Sequence, residues 1–156
     1  MARIYQINVS NGGVPKRPID VATVSELGIE GDAHNDQRSH GGPERALCVY
    51  SIEQIKQLQA EGHPVAPGTM GENVTTEGID LSGVVPGDRF QLGQDVIVEV
   101  TRYTTPCVKI SGSFSEGHFN RVSSQTNPGW SRFYVRVLVG GKIRTSDLIR
   151  SVVDSK

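Results

Sequence analysis

The sequence predicts a mainly β single domain, a partly closed barrel with one or two helices packed on it. Three observations carry that expectation. Eighteen glycines and eight prolines are spread through all 156 residues instead of gathering in one linker, the punctuation of many short strands joined by tight turns. Apolar residues alternate over 4–9, 21–24, 46–49, 96–100 and 133–139, the period of a strand with one buried face. Only one segment carries clear helical spacing, and no repeat or low-complexity tract divides a chain whose length suits one domain.

Taken in order, the run over 4–9 opens the chain as a strand, and 21–24 forms a second. The run over 46–49 leads into the helix: Ser51 is the N-cap, Gln54 completes a capping box, Ile52, Ile55 and Leu58 share one face, and Gly62 stops it. Pro86-Gly87-Asp88 reads as a turn that opens a strand at Arg89-Phe90-Gln91-Leu92. The run over 96–100 follows, then a weaker helix is expected between Ser113 and Ser123. The last run, 133–139, ends at Gly140-Gly141.

Sixteen Lys and Arg against 17 Asp and Glu give a formal charge of -1, with none of the one-signed excess that nucleic-acid or anionic-membrane binding demands. Hydrophobic residues at 36% and a mean hydropathy of -0.30 describe a chain able to build a core in water. No apolar run approaches a membrane span, and the N-terminus lacks the apolar block of a signal peptide, so a cytoplasmic location is expected. Two cysteines are too few for a secreted disulfide framework and are read as free thiols.

The unusual residues form three clusters. In the first, Gly28-Ile29-Glu30-Gly31-Asp32-Ala33-His34 precedes Arg38-Ser39-His40-Gly41-Gly42-Pro43-Glu44-Arg45. Glycines let backbone N–H groups approach a ligand, and Arg38, His40 and Arg45 add donors around an anion, although the same loop could simply cap its own backbone. The spacing of His34 and His40 with Asp32 and Asp36 matches no common zinc pattern. His63 and His118 read as surface residues. In the second cluster, Cys107 follows a strand within Thr104-Thr105-Pro106, with Lys109 and Arg102 placed in sequence to favour its thiolate, the form that binds soft metals or attacks sulfur. Cys48, among Ala46, Leu47, Val49 and Tyr50, reads as a small core hydrophobe. In the third, Gly68-Thr69-Met70-Gly71-Glu72-Asn73-Val74 sets a carboxylate beside a carboxamide, a pair able to read a heterocycle or to tie a turn together. Trp130 is expected in the core.

Together these stretches resemble the MOSC family, the domain also found at the C-terminus of molybdenum-cofactor sulfurases. The resemblance rests on Gly28-Ile29-Glu30-Gly31-Asp32 with His34, on the run His40 to Ala46, on Gly68 to Val74, on Gly87-Asp88 and on Pro106-Cys107, in family order over about residues 28–147 of a single domain spanning 1–156. It looks most like the standalone bacterial members. It implies a β-rich, barrel-like fold related to the pyruvate-kinase β-barrel domain, and binding of molybdenum cofactor (molybdopterin). The residue matching Cys107 is then the metal ligand and catalytic group, or a carrier of persulfide sulfur. Two positions depart from the family pattern: Ala33, where many relatives are basic, and Ser146, where a glycine usually precedes Asp147. Serine tolerates the positive φ of such a turn poorly.

The leading reading is a molybdenum-dependent oxidoreductase that reduces small N-hydroxylated compounds. Cys107 is its metal ligand, and Arg38, His40, Gly41, Gly42, Arg45, Glu72, Asn73 and Arg102 are cofactor-binding residues. No iron–sulfur, flavin or nicotinamide fingerprint is present, so electrons would come from a separate electron-transfer protein. The alternatives are a sulfur carrier, loaded on Cys107 by a cysteine desulfurase whose pyridoxal phosphate belongs to that partner, and a non-catalytic cofactor-binding module.

Overall fold

The computed structural model describes residues 2–10, 14–32, 42–106 and 108–152. Its elements are β1 (Arg3–Val9), β2 (Arg17–Ile19), β3 (Val21–Ser25), β4 (Gly28–Ile29), β5 (Leu47–Ser51), α1 (Ile52–Ala60), β6 (Val74–Glu77), β7 (Arg89–Leu92), β8 (Val96–Tyr103), β9 (Phe133–Val139), β10 (Gly141–Arg144) and β11 (Ile149–Val152). Eight strands make one sheet in the order β11-β7-β8-β9-β5-β6-β1-β2, and β10, β3 and β4 make a second. The ladder is antiparallel except between β5 and β6, where Val49 lies opposite Val74 in a parallel pair. A parallel neighbour needs a crossover, and α1 supplies it.

The large sheet curls until its ends approach. Ile4 N–H donates to the Asp147 carbonyl at 2.8 Å, Ser146 N–H to the Ile4 carbonyl at 2.8 Å, and Ile149 N–H to the Ala2 carbonyl at 2.9 Å. One bridge, Arg3 to Leu148, joins the two sides, so the sheet is barrel-like without a continuous closing ladder. Inside it lies the main core. The alternation expected for 96–100 is observed, with Val96, Val98 and Val100 buried together with Ile4, Ile7, Leu47 and Val135. All five residues of β5 are buried, because its second face is covered too. There Tyr50 joins Ile52, Ile55 and Leu58 of α1, Met70, Ile110, Phe114 and Val122 in a smaller cluster.

The start of α1 follows the sequence closely. Gln54 N–H donates to Ser51 Oγ at 3.2 Å, the Ser51 hydroxyl donates to Gln54 Oε1 at 2.8 Å, and the Gln54 amide reaches the Gly129 carbonyl at 2.7 Å. At its end Gly62 adopts φ +96° and His63 N–H closes on the Leu58 carbonyl. The second helix is corrected: the chain forms 3-10 turns at Val108–Ser113, Ser115–Gly117 and Phe119–Val122. Glu116 at φ +54° and Gly117 at φ +71° are left-handed, and two such residues in a row end any α-helix.

Candidate functional site

Four stretches of chain meet at one buried carboxylate. Asp32 follows β4, and its Oδ1 accepts from Ser10 N–H at 2.9 Å and from Lys16 Nζ at 2.7 Å. Its Oδ2 accepts from Lys16 Nζ at 2.9 Å and from Asn73 Nδ2 at 2.8 Å. The Lys16 and Asp32 side chains are 5% and 2% exposed, so this is a fully buried ion pair. Its cost in lost hydration is repaid only because each lone pair of the carboxylate is used. The turn over 68–73 packs against it: Lys16 N–H donates to the Gly68 carbonyl at 2.8 Å, and a Cβ at Gly68 would fall 2.4 Å from the Lys16 carbonyl. Only glycine permits that approach at φ +86°.

The same turn buries Glu72 and Asn73. Asn73 Oδ1 accepts from Cys48 N–H at 3.0 Å, and its Nδ2 also donates to the Asn8 carbonyl at 3.2 Å. Glu72 Oε1 accepts from Gly68 N–H at 2.9 Å, while Oε2 is buried without a hydrogen bond. Burial pushes the Glu72 carboxyl up to about 7, against the pull of backbone N–H groups and of the nearby Arg132 guanidinium. Burial likewise raises the Cys48 thiol to about 11, so Cys48 is the inert core thiol its neighbours in sequence predict.

The predicted site residues divide among three settings. Glu72 and Asn73 sit in this buried network, their hydrogen bonds directed at backbone and at Asp32. Gly42, exposed at φ +83°, precedes the 3-10 turn Pro43–Arg45, where Arg45 is half-buried. That turn is tied to the sheet through Thr101 Oγ1, which donates to the Glu44 carbonyl at 2.6 Å, and through Arg136, whose guanidinium meets the Glu44 carboxylate at 2.9 Å. Arg102 is exposed on β8, one residue beyond that contact, and β8 runs on toward residue 107. Arg45 and Arg102 therefore lie on elements that touch. Arg38, His40, Gly41 and Cys107 lie outside the described residues, as do Ala33, His34 and Asp36. Lys109 belongs to the turn Val108–Ser113.

Two surface assignments separate. His118 is exposed, but His63 is a structural residue: its Nδ1 accepts from Ser115 N–H at 3.0 Å and its ring stands edge-on to Phe114 at 5.1 Å. Trp130 is half-buried, packed on the smaller core and under the Arg121 guanidinium at 4.1 Å. Sequence reasoning passed over Lys16, Asn8 and Arg132, all buried and polar. For Arg132 there was one signal, a lone cation wedged between Trp130 and the apolar run that opens at Phe133. Among the described residues no group of three or more His, Cys, Asp or Glu is arranged to hold a metal ion, and no helix is long and apolar enough to cross a membrane.

A curled β sheet with one crossover helix, carrying a Gly-Thr-Met-Gly-Glu-Asn turn against a buried Lys–Asp pair, defines the class. The model of the MOSC domain matches residues 36–150, and the chain belongs to that family. It is 34% identical over 133 residues to the uncharacterized protein YflK of Bacillus subtilis, covering 84% of this chain and 59% of that protein. To protein YiiM of Escherichia coli it is 30% identical over 125 residues, covering 77% and 54%. The chain thus spans little more than half the length of these curated relatives. A protein of Gibberella moniliformis named a reductase is 33% identical over 130 residues, which cover 80% of this chain and 22% of that one. Among solved structures, a hypothetical protein aligns with a TM-score of 0.77 at 28% identity, covering 99% of this chain and 70% of that one. YiiM from Geobacillus stearothermophilus aligns with a TM-score of 0.72 at 25% identity, covering 98% and 76%.

Proposed function

We propose that this protein binds molybdenum cofactor, with Cys107 as the protein ligand to the metal, and reduces small N-hydroxylated compounds with electrons from a separate protein. Supporting this reading are the membership of the MOSC family and a relative named a reductase. The observation that carries it is the seating of the turn Pro43–Arg45 on β9, with a hydrogen bond from Thr101 of β8, which brings the elements bearing Arg45 and Arg102 near one another at the end of β8 that precedes Cys107 in sequence. The donor set fits the group: guanidinium donors suit its phosphate, and a thiolate suits a soft metal.

When bound, the cofactor would supply two-electron chemistry that converts an N–OH to N–H and water with two protons. The chain's own residues bind and orient. Arg45 and Arg102, with Arg38 and His40 from the same motif, would hold the anionic end, and Gly41 and Gly42 would let backbone N–H groups approach it. Glu72 and Asn73 act from beneath, fixing the turn over 68–73 against Asp32 and β5. We place the protein in the reducing cytoplasm, where Cys107 stays a thiol.

The test is to express the protein in a host that makes molybdenum cofactor, purify it anaerobically and measure molybdenum and pterin per chain. Near-stoichiometric amounts in wild type, with the metal lost in Cys107→Ala, support the reading. Absence of both from wild type, with sulfur appearing on Cys107 after incubation with a cysteine desulfurase, overturns it in favour of a sulfur carrier.

A further inference from the structure

Arg132 is 5% exposed and precedes β9. Its Nη1 donates to the Met70 carbonyl at 2.6 Å, in the turn that carries Glu72 and Asn73. Its own carbonyl accepts from Thr104 N–H at 2.9 Å and lies 3.3 Å from Thr104 Oγ1. Thr104 is buried and extends the β8–β9 ladder one step past the Tyr103–Phe133 pair, and Thr105 and Pro106 then lead into Cys107. One buried residue therefore touches both the 68–73 turn and the 104–106 segment.

The other face of that turn is held independently, since Asn73 N–H donates to the Cys48 carbonyl at 2.8 Å and Asn73 Oδ1 accepts from Cys48 N–H. The Arg132 guanidinium is near enough to pull on the Glu72 carboxyl, but charge balance alone does not account for the arrangement. Arg132 Nε and Glu72 Oε2 are both buried without a hydrogen bond, while the guanidinium's bond goes to a backbone carbonyl. A buried cation next to a buried carboxylate would ordinarily satisfy it through those two atoms.

We propose that Arg132 is a positioning residue: its side chain fixes the 68–73 turn while its carbonyl fixes the 104–106 segment, so the turn and the stretch that leads in sequence to Cys107 are set in one register. The proposal rests on the reading of Cys107 as the cofactor's ligand. Arg132 would act through the turn and the 104–106 segment it holds. Small shifts at such a support can cost a site much of its function without unfolding the chain.

The test separates positioning from charge balance. Arg132→Met is made in a Glu72→Gln background, so that no buried carboxylate loses its cation, and Arg132→Lys is made alone. For each, iodoacetamide alkylation of Cys107 is followed peptide by peptide in the cofactor-free protein, with buried Cys48 as internal reference, and molybdenum per chain is measured after anaerobic purification. Positioning predicts that the double variant melts within a few degrees of Glu72→Gln, yet alkylates at Cys107 about tenfold faster and holds about tenfold less molybdenum, with Arg132→Lys intermediate. Equal alkylation and equal metal in the double variant and in Glu72→Gln overturn the proposal. If the double variant does not fold, Arg132→Lys decides, and wild-type alkylation there overturns it as well. A wild type without molybdenum fails the cofactor reading alone, because the alkylation arm still decides the role of Arg132.

Discussion

At the scale of single residues, two positions sit where physical chemistry resists them. Ser146 holds φ +76° in the turn between β10 and β11, where Asp147 accepts from Arg144 N–H at 2.8 Å. A left-handed serine costs more than a glycine, part of which is returned by glycine's larger unfolded-state freedom. Ser146→Gly should therefore stabilise the protein by ~0.5–1 kcal/mol, read as a rise of about 1–4 °C in melting temperature. Glu72 is the second such position. Its carboxyl, normally near 4.5, is raised to about 7 in the folded state by burial. The folded state therefore binds more protons than the unfolded one between about pH 4.5 and 7, and stability falls as pH rises through that window. Melting temperatures measured from pH 5 to 8 should drop in wild type and flatten in Glu72→Gln. Parallel curves would mean that Glu72 ionises as an ordinary carboxylate.

Among elements, the Lys16–Asp32 pair holds the end of β1, the start of β2, the segment after β4 and the 68–73 turn in one knot. Lys16→Met removes the ammonium partner of a buried carboxylate, and should cost about 3 kcal/mol in chemical denaturation. Adding Asp32→Asn should return part of that loss. The knot also marks the limit of what the sequence discloses. Asp32, Glu72 and Asn73 stood out because motif residues surround them, whereas Lys16 lies in Pro15-Lys16-Arg17-Pro18, where nothing distinguishes a buried ammonium from a solvated one. The long strands and the capped helix were legible because each carries its own period and stop signals. β2, β4, β6, β10 and β11 have two to four residues each, too few to display an alternation, and they exist because neighbouring strands pair with them. The weaker helix failed at Glu116 and Gly117, where apolar spacing over Phe114, Phe119 and Val122 suits a helix but the backbone reverses hand between them.

For the whole molecule, the two cores differ in what holds them. The main core is enclosed by a sheet whose strands β5, β6, β7, β8 and β9 each have neighbours on both sides. The smaller one lies under α1 and three 3-10 turns, whose backbone bonds, such as Phe114 N–H to the Ser111 carbonyl and Arg121 N–H to the His118 carbonyl, measure 3.1 and 3.2 Å. Short 3-10 segments have poor hydrogen-bond geometry and little cooperativity of their own. This cap should therefore open as a unit below the global unfolding free energy, so that amides over 110–122 exchange with solvent before those of β8 and β9. Phe114, 3% exposed, is its largest apolar anchor from the turns. Phe114→Ala should cost about 3 kcal/mol at the cap, with exchange accelerated over 110–122 and in α1 while β8 and β9 keep wild-type protection. Equal acceleration across cap and sheet would instead mean that the two cores unfold together.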